Sequence, residues 1–388
     1  MIKYLKVSNF LSFKEETVLN LESAGRVTED QYEGFYIKEN SEGNKNRIGK
    51  IGLIYGANAS GKSNVLAVLD FLYDFISYSY SSKPEETAIN TKFCAFANRD
   101  NEKSVFEISY LANWDNYNEY VYHLEIKERK VISEWLNVQG EIKFSRTEAS
   151  LETPDLTDIK FDRLNEYSSY ISKAKADNHE FYRKFAIGIS SYQFGHDSAD
   201  WLDNLTTKYL AKDSVRLEKI VSILKKFAIG LENIIYEEIS SNDVNNPKYK
   251  VYSQHSFGNL EFKFESAGTK KLFNLLNFVL ASIETGHNFI IDEIGNCFHP
   301  YIVEEIVKMF LDPEINNHNA QLIATAHEPG FMDIDGVLKQ HIYFTEKTEN
   351  ESTDIFRLTD FDSKDTRNQI SLSKKYMLGK YGAVPNID

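Results

Sequence analysis

Cysteine is nearly absent from this chain, and it lacks long apolar runs and internal repeats. Its 388 residues include two cysteines, Cys94 and Cys297, which lie far apart and without the spacing of metal ligands. A disulfide framework and a zinc site are therefore excluded. No apolar run approaches the roughly 20 residues that a membrane-spanning helix needs. The N-terminus also lacks the apolar core of a signal peptide, so we expect a cytoplasmic protein with no membrane contact.

Basic residues are also scarce. The chain has 44 Lys and Arg against 58 Asp and Glu, a formal charge of −14. A surface that coats nucleic acid is markedly basic, so the composition argues against broad DNA binding but allows a small basic patch. With 42% hydrophobic residues there is ample material for a packed core, in one large domain or two ordinary ones.

The hydrophobic pattern changes along the chain. Alternation with period two from Ser104 to about Phe144 predicts an antiparallel meander. Residues 150–227 are rich in helix formers and predict helix throughout. The last third alternates helices with short apolar strands, which is typical of a largely parallel α/β sheet. We therefore divide the chain into an N-terminal lobe (1–149), a helical insertion (150–227) and a C-terminal lobe (228–388).

The strongest motif has the pattern G-x-x-x-x-G-K-S. It follows a short apolar strand and precedes an amphipathic helix, which is the expected context for phosphate binding. The glycines let backbone N–H groups surround phosphate oxygens, and the helix N-terminus adds partial positive charge. Lys62 can reach the β- and γ-phosphates, and the Ser63 hydroxyl can ligate Mg²⁺. The sequence therefore predicts an ATP site at Gly56, Ala57, Asn58, Ala59, Ser60, Gly61, Lys62, Ser63 and Asn64.

Three downstream positions carry further candidate residues. An apolar strand ends at Asp292 and Glu293, where Asp292 is expected to bind Mg²⁺ and Glu293 to orient or deprotonate the attacking water. His327 follows a third strand and can hydrogen-bond the γ-phosphate. Ser266 and Gly268 begin a helix that can bind a second anion, although taken alone they fit an ordinary capped helix equally well.

This ordered set of motifs resembles an ABC-type ATPase head of the SMC, Rad50 and RecF kind. The opening Asn-Phe-Leu-Ser-Phe at residues 9–13 resembles the start of those heads. A closer likeness is to compact AAA-type ATP-binding proteins of bacterial abortive-infection and phage-defence systems, including the ATPase subunit of the PARIS system. It is carried by the stretches at 265–271, 292–300, 325–328 and 376–385. The expected fold is an α/β P-loop NTPase with a two-lobed head, an antiparallel meander and a helical insertion.

The resemblance implies how the site works. In such heads ATP lies between two protomers: Lys62 and Glu293 act from one, and Ser266 and Gly268 touch the γ-phosphate from the other. The residues from Ile294 to His299 correspond to the loop that crosses between the two sites. This chain departs from the pattern because Leu and a second Gly are missing around Ser266, and no Gln stands out as the ligand that links the lobes through Mg²⁺.

Three functions fit these motifs. The first is a sensor ATPase of an anti-phage system that responds to DNA or a phage-derived trigger, works as a homodimer or higher homo-oligomer, and gates a separate Toprim-like nuclease or toxin. The second is a DNA-repair ATPase similar to RecF or Rad50 that clamps DNA. The third is a transporter subunit, which the 203 residues from Ser63 to Ser266 disfavour, since transporters separate these motifs by about a hundred. The acidic run at Asp360, Asp362 and Asp365 is expected to be a solvated loop and not a nuclease site.

Overall fold

The computed structural model describes most of the chain. The described ranges are 1–23, 33–39, 45–153, 164–194, 210–227, 230–239, 248–296, 298–361 and 371–384. Among the sequence predictions, Cys297, Asp362 and Asp365 lie outside these ranges.

The described part contains eighteen strands and eight α-helices. The strands are β1 (Ile2–Ser8), β2 (Thr17–Asn20), β3 (Phe35–Glu39), β4 (Lys45–Gly49), β5 (Ile51–Tyr55), β6 (Ser104–Ala112), β7 (Asn118–Lys127), β8 (Lys130–Val138), β9 (Glu141–Thr147), β10 (Leu151–Glu152), β11 (Ser191–Phe194), β12 (Asn233–Ile239), β13 (Lys248–His255), β14 (Gly258–Glu261), β15 (Asn288–Ile291), β16 (Leu322–Thr325), β17 (Ile342–Lys347) and β18 (Thr353–Arg357). The helices are α1 (Lys62–Tyr78), α2 (Ala88–Thr91), α3 (Tyr170–Ala176), α4 (Glu180–Gly188), α5 (Ser214–Lys226), α6 (Ala267–Thr285), α7 (Pro300–Leu311) and α8 (Leu372–Met377).

A six-stranded sheet in the order β11-β15-β16-β5-β17-β18 forms the centre. Its strands are parallel except for β18, which pairs antiparallel with β17. The inner strands β5, β15 and β16 are buried at every position, as expected for parallel strands covered on both faces. Because these strands run parallel, the carboxyl ends of β5, β15 and β16 lie at one edge of the sheet. This is the edge at which α/β sheets bind their ligands.

The predicted antiparallel meander is present. It belongs to a seven-stranded sheet in the order β10-β9-β8-β7-β6-β1-β2. Along β7 buried and partly buried side chains alternate, because only one face of the sheet packs on the core. A separate three-stranded antiparallel sheet, β12-β13-β14, leads into α6.

Two apolar cores lie on opposite faces of the central sheet. Ile54 joins the core formed by α1 and the seven-stranded sheet, whereas Leu53 and Tyr55 join the core formed by α6 and α7. This alternation follows from the two-residue period of strand β5. Helix α1 therefore packs between the two large sheets, and the loop that precedes it is held from both sides.

The prediction of helix throughout residues 150–227 is wrong in part. Helices α3, α4 and α5 lie there, but Leu151–Glu152 and Ser191–Phe194 are strands. Strand β11 pairs in parallel with β15 along four residues and forms one edge of the central sheet. So short a strand carries little periodic signal of its own, and its pairing partner lies about a hundred residues away. The domain boundaries at 149/150 and 227/228 stay a prediction. No helix in the described ranges is long and apolar enough to cross a membrane.

Candidate functional site

The glycine-rich loop lies between β5 and α1, as the motif predicts. Neighbouring atoms leave no room for a side chain at Gly56 and Gly61. A Cβ on Gly56 would lie 2.5 Å from the Thr345 carbonyl oxygen, and one on Gly61 would lie 2.2 Å from Thr353 Oγ1. Gly61 also has a φ of 105°, in the region that favours glycine. Helix α1 begins with no side-chain cap, so its first N–H groups are available to an anion.

Hydroxyl groups from distant strands hold the loop. Thr345 on β17 contacts Ser60 Oγ at 2.6 Å, and Thr353 on β18 donates to the Ser60 carbonyl oxygen at 2.8 Å. Thr353 Oγ1 also lies 2.8 Å from Ser12 Oγ, which accepts from the Asn64 amide at 2.7 Å. Ser12 belongs to the Asn-Phe-Leu-Ser-Phe turn, whose role is thus to brace the phosphate loop. These four hydroxyls pre-organise the loop before any ligand arrives.

Lys62 is folded over its own loop. Its Nζ donates to the carbonyl oxygens of Gly56 and Ala57, both at 2.9 Å, and the residue is 6% exposed. Burial lowers the pKa of Lys62, and the nearby Asp292 and Glu293 oppose that effect. A partly desolvated ammonium held by neutral carbonyls is well placed to exchange them for phosphate oxygens, which carry full charge. Ser63, one residue on, is exposed.

Thr325 contacts both acidic residues that follow β15. Its Oγ1 donates to Asp292 Oδ1 at 2.5 Å and accepts from the backbone N–H of Glu293 at 2.7 Å. Glu293 has a φ of 55°, an uncommon value for a residue other than glycine and one often found at functional sites. Its Oε2 accepts from the Asn296 amide at 2.8 Å. Thr325 on β16 therefore holds the Asp292 carboxylate and the Glu293 backbone just beyond the end of β15.

His327 lies within reach of Glu293. Its Nε2 is 3.5 Å from Glu293 Oε1, and their side chains are 43% and 36% exposed. The two residues line a cavity of about 470 Å³ together with Asn58 of the phosphate loop, Gly295, Asn296 and Glu328. Loop, carboxylate and histidine thus meet in one open cavity, as the sequence predicts.

The structure does not bring Ser266 and Gly268 into this cavity. Ser266 caps α6 by accepting from the Thr269 N–H at 3.0 Å, and both Ser266 and Gly268 are exposed. A Cβ on Gly268 would meet only Ser266 Oγ, at 3.8 Å, so packing within the chain does not require glycine there. This helix start is open to a ligand that approaches from outside the molecule.

Sequence reasoning missed the residues that position the site. Thr325 stands beside His327 in the same short motif, where only the histidine was considered. Thr345 and Thr353 lie on strands with no recognisable motif, and only their neighbours in the folded sheet reveal their role. A hydroxyl at the end of a buried strand next to an acidic strand end is the one signal that points to Thr325.

The chain matches the model of a known family. A family model described as "AAA domain, putative AbiEii toxin, Type IV TA system" matches residues 53–333, which is more than half of the chain. The chain belongs to this family. The resemblance to compact ATP-binding proteins of abortive-infection systems and the predicted α/β P-loop NTPase fold with an antiparallel sheet are thereby confirmed. The likeness to the PARIS subunit stays a prediction.

Solved structures give distant likenesses. The chain is 16% identical to an SMC head bound to the C-winged helix domain of ScpA (TM-score 0.49, covering 92% of this chain and 97% of that one). It is 13% identical to an SMC head domain from Thermotoga maritima (TM-score 0.43, 92% and 98%). It is also 13% identical to an Smc head with an extended coiled coil, bound to the C-terminal domain of ScpA from Pyrococcus furiosus (TM-score 0.48, 98% of each chain). Comparison with curated proteins gives no match.

Proposed function

We propose that this protein binds and hydrolyses ATP as the sensor or regulatory subunit of a bacterial abortive-infection system and gates a separate nuclease or toxin. The observation that carries the ATPase part is the single cavity in which Asn58, Glu293 and His327 meet beside a braced phosphate loop. The family description, with its toxin system, supports the regulatory part.

Each site residue has a distinct task in this proposal. The loop N–H groups and Lys62 hold the phosphates, and Glu293 takes a proton from the attacking water while His327 contacts the γ-phosphate. Ser63, exposed at the start of α1, and Asp292, held by Thr325, offer the hard oxygen ligands that suit Mg²⁺. Bound there, the ion supplies positive charge to the transferring phosphate.

We further propose that Ser266 and Gly268 act on ATP held by a second copy of the chain. Both are exposed, lie outside the cavity, and begin a helix whose N-terminus faces outward. A γ-phosphate bound between two copies accepts hydrogen bonds from the N–H groups at that helix start. The second copy then excludes water from the site. ATP then joins the two copies, and hydrolysis releases them. A partner protein that binds one of these two states more tightly than the other is thereby regulated.

The decisive experiment uses Glu293→Gln. The glutamine keeps the size of the side chain and its contact with Asn296 but cannot accept a proton, so we expect ATP binding to persist and kcat to fall by about 10²-fold or more. Lys62→Ala is the matched control, because loss of its ammonium removes phosphate binding itself. Normal turnover by Glu293→Gln contradicts the assignment of the base, and ATP binding by Lys62→Ala contradicts that of the loop.

The regulatory part has its own test. Purification of Glu293→Gln from cells that carry its neighbouring genes is expected to retain the effector, because the closed state persists. ATP turnover of the unaltered protein, measured over a salt series with and without duplex DNA, provides the contrast. Strong stimulation by DNA that falls steeply with salt, together with no effector retained by Glu293→Gln, contradicts the sensor proposal and supports the DNA-clamp alternative.

A further inference from the structure

Both ring nitrogens of His255, the last residue of β13, face oxygen acceptors. Nδ1 lies 2.8 Å from the Gly230 carbonyl oxygen, and Nε2 lies 2.6 Å from Glu265 Oε1. A neutral imidazole has one N–H and can satisfy only one of these acceptors, whereas the imidazolium has two and satisfies both. The geometry therefore selects the protonated ring.

Glu265 directly precedes Ser266, the cap of α6. Its Oε1 accepts from His255 and also from the Ser253 hydroxyl on the same strand. The side chains of His255 and Glu265 are each 9% exposed, so solvent competes little for these bonds. Two donors on β13 thus fix the residue that leads into the exposed helix start at Ser266 and Gly268.

The surroundings of His255 favour its charged form. The Glu265 hydrogen bond raises the pKa of His255, partial burial opposes this rise, and the Gly230 carbonyl and the Glu232 carboxylate add to it. Among the described residues, Glu265 and Glu232 are the carboxylates that act on the ring. The Phe257 ring stacks on the imidazole at 4.8 Å and 8° between planes, which holds it in position.

We propose that the His255–Glu265 ion pair positions Ser266 and Gly268 for the phosphate of a partner copy, and that loss of the His255 proton releases them. This inference rests on the proposed function. Neither residue lines the cavity that holds Glu293 and His327, so both are positioning residues. Above the pKa of His255, the ring has one N–H for two acceptors and no longer carries the charge that holds Glu265. A ring lone pair then faces either Glu265 or the Gly230 carbonyl, and the segment before Ser266 loosens.

The first test compares His255→Gln with the unaltered protein over a pH series. Glutamine keeps one donor but does not titrate. We expect the unaltered protein to lose turnover as pH rises through the His255 pKa, and His255→Gln to lack this step and to have a kcat about tenfold lower below it. The dissociation constant for ATP stays within about twofold, because the phosphate loop is untouched. An unchanged kcat and pH profile in His255→Gln overturns the inference.

Ser253→Ala separates titration from simple loosening. It removes the second donor to Glu265 but leaves the ion pair in place, so we expect a reduced kcat that keeps the pH step. If turnover of Ser253→Ala no longer falls as pH rises, the pH step belongs to a group other than His255. This result overturns the inference. Folding of each variant is checked by its thermal unfolding curve, and His255→Asn is the second variant if His255→Gln fails to fold.

A mixing experiment tests action across copies. Glu265→Gln weakens the helix start but keeps the phosphate loop, and Lys62→Ala has the opposite defect. We expect each alone to be slow and an equimolar mixture to regain part of the turnover, because a mixed pair has one site with both halves intact. No recovery on mixing overturns action across copies. No ATP turnover in the unaltered protein, or normal turnover in Ser266→Arg, overturns the proposed function itself.

Discussion

Thr325 connects Asp292 with the backbone of Glu293, although it contacts no phosphate in the proposed site. Its hydroxyl donates to Asp292 and accepts from the Glu293 N–H. Thr325→Val keeps the shape of the side chain and removes both bonds, so we expect kcat to fall about 10–100-fold while ATP affinity changes little. Single-turnover kinetics with a separate binding titration measure the two effects.

Two variants make that prediction specific. Thr325→Ser keeps the hydroxyl and should restore most of the turnover. Thr345→Val removes the equivalent hydroxyl on β17, which contacts Ser60 Oγ in the phosphate loop, and should weaken ATP binding instead. A loss of affinity in Thr325→Val with unchanged kcat would show that Thr325 supports the loop and not the carboxylates.

At the scale of an element, the turn that leads into β17 depends on a neutral histidine. His341 is fully buried; its Nδ1 accepts from the Leu338 N–H at 3.1 Å, and its Nε2 lies 3.2 Å from the Gly34 carbonyl oxygen. Burial lowers the pKa of His341 from 6.5 to about 3. The unfolded chain takes up this proton near pH 6.5 and the native chain does not, so stability falls as pH drops below 6.5.

The expected size follows from linkage. Between about pH 5 and pH 6.5, His341 contributes a slope of up to about 1.4 kcal/mol per pH unit to the free energy of unfolding. His287, whose pKa burial also lowers, acts in the same direction. Glu107, whose pKa falls from 4.5 to about 2, acts only at lower pH, and His255 acts at higher pH. The free energy of unfolding of His341→Asn, measured with urea at each pH, should depend less steeply on pH over this range. A pH dependence equal to that of the unaltered protein contradicts the prediction.

At the scale of the whole molecule, the exposed start of α6 predicts ATP-dependent assembly. Ser266→Arg places a large cation where a partner's phosphate loop is expected, so we expect ATP binding to persist and the ATP-bound oligomer to be lost. Analytical ultracentrifugation of each variant in the Glu293→Gln background measures this. Ser222→Arg, an equally exposed serine on α5, is the matched control. Assembly by Ser266→Arg equal to that control contradicts the interface.

The structure places the predicted residues in the predicted elements wherever the sequence pattern is local. The glycine-rich loop is eight consecutive residues between a strand and a helix, and Asp292, Glu293 and His327 each follow the end of a buried strand. The short strand Ser191–Phe194 and the threonines on β16, β17 and β18 were not predicted in their roles. Their contacts join residues between about thirty and three hundred positions apart, and no periodic pattern encodes such contacts.

The phosphate loop, the meander and the family follow from the amino-acid sequence alone, because they depend on contiguous motifs and on hydrophobic periods of two and 3.6 residues. Three contacts emerge only in the folded chain: Thr325 holds the Asp292 carboxylate and the Glu293 backbone, Ser12 braces the loop, and His255 holds Glu265 beside the helix start. Hydrogen bonds require a donor and an acceptor to meet within about 3 Å, and in this chain the packing of the sheets brings them together.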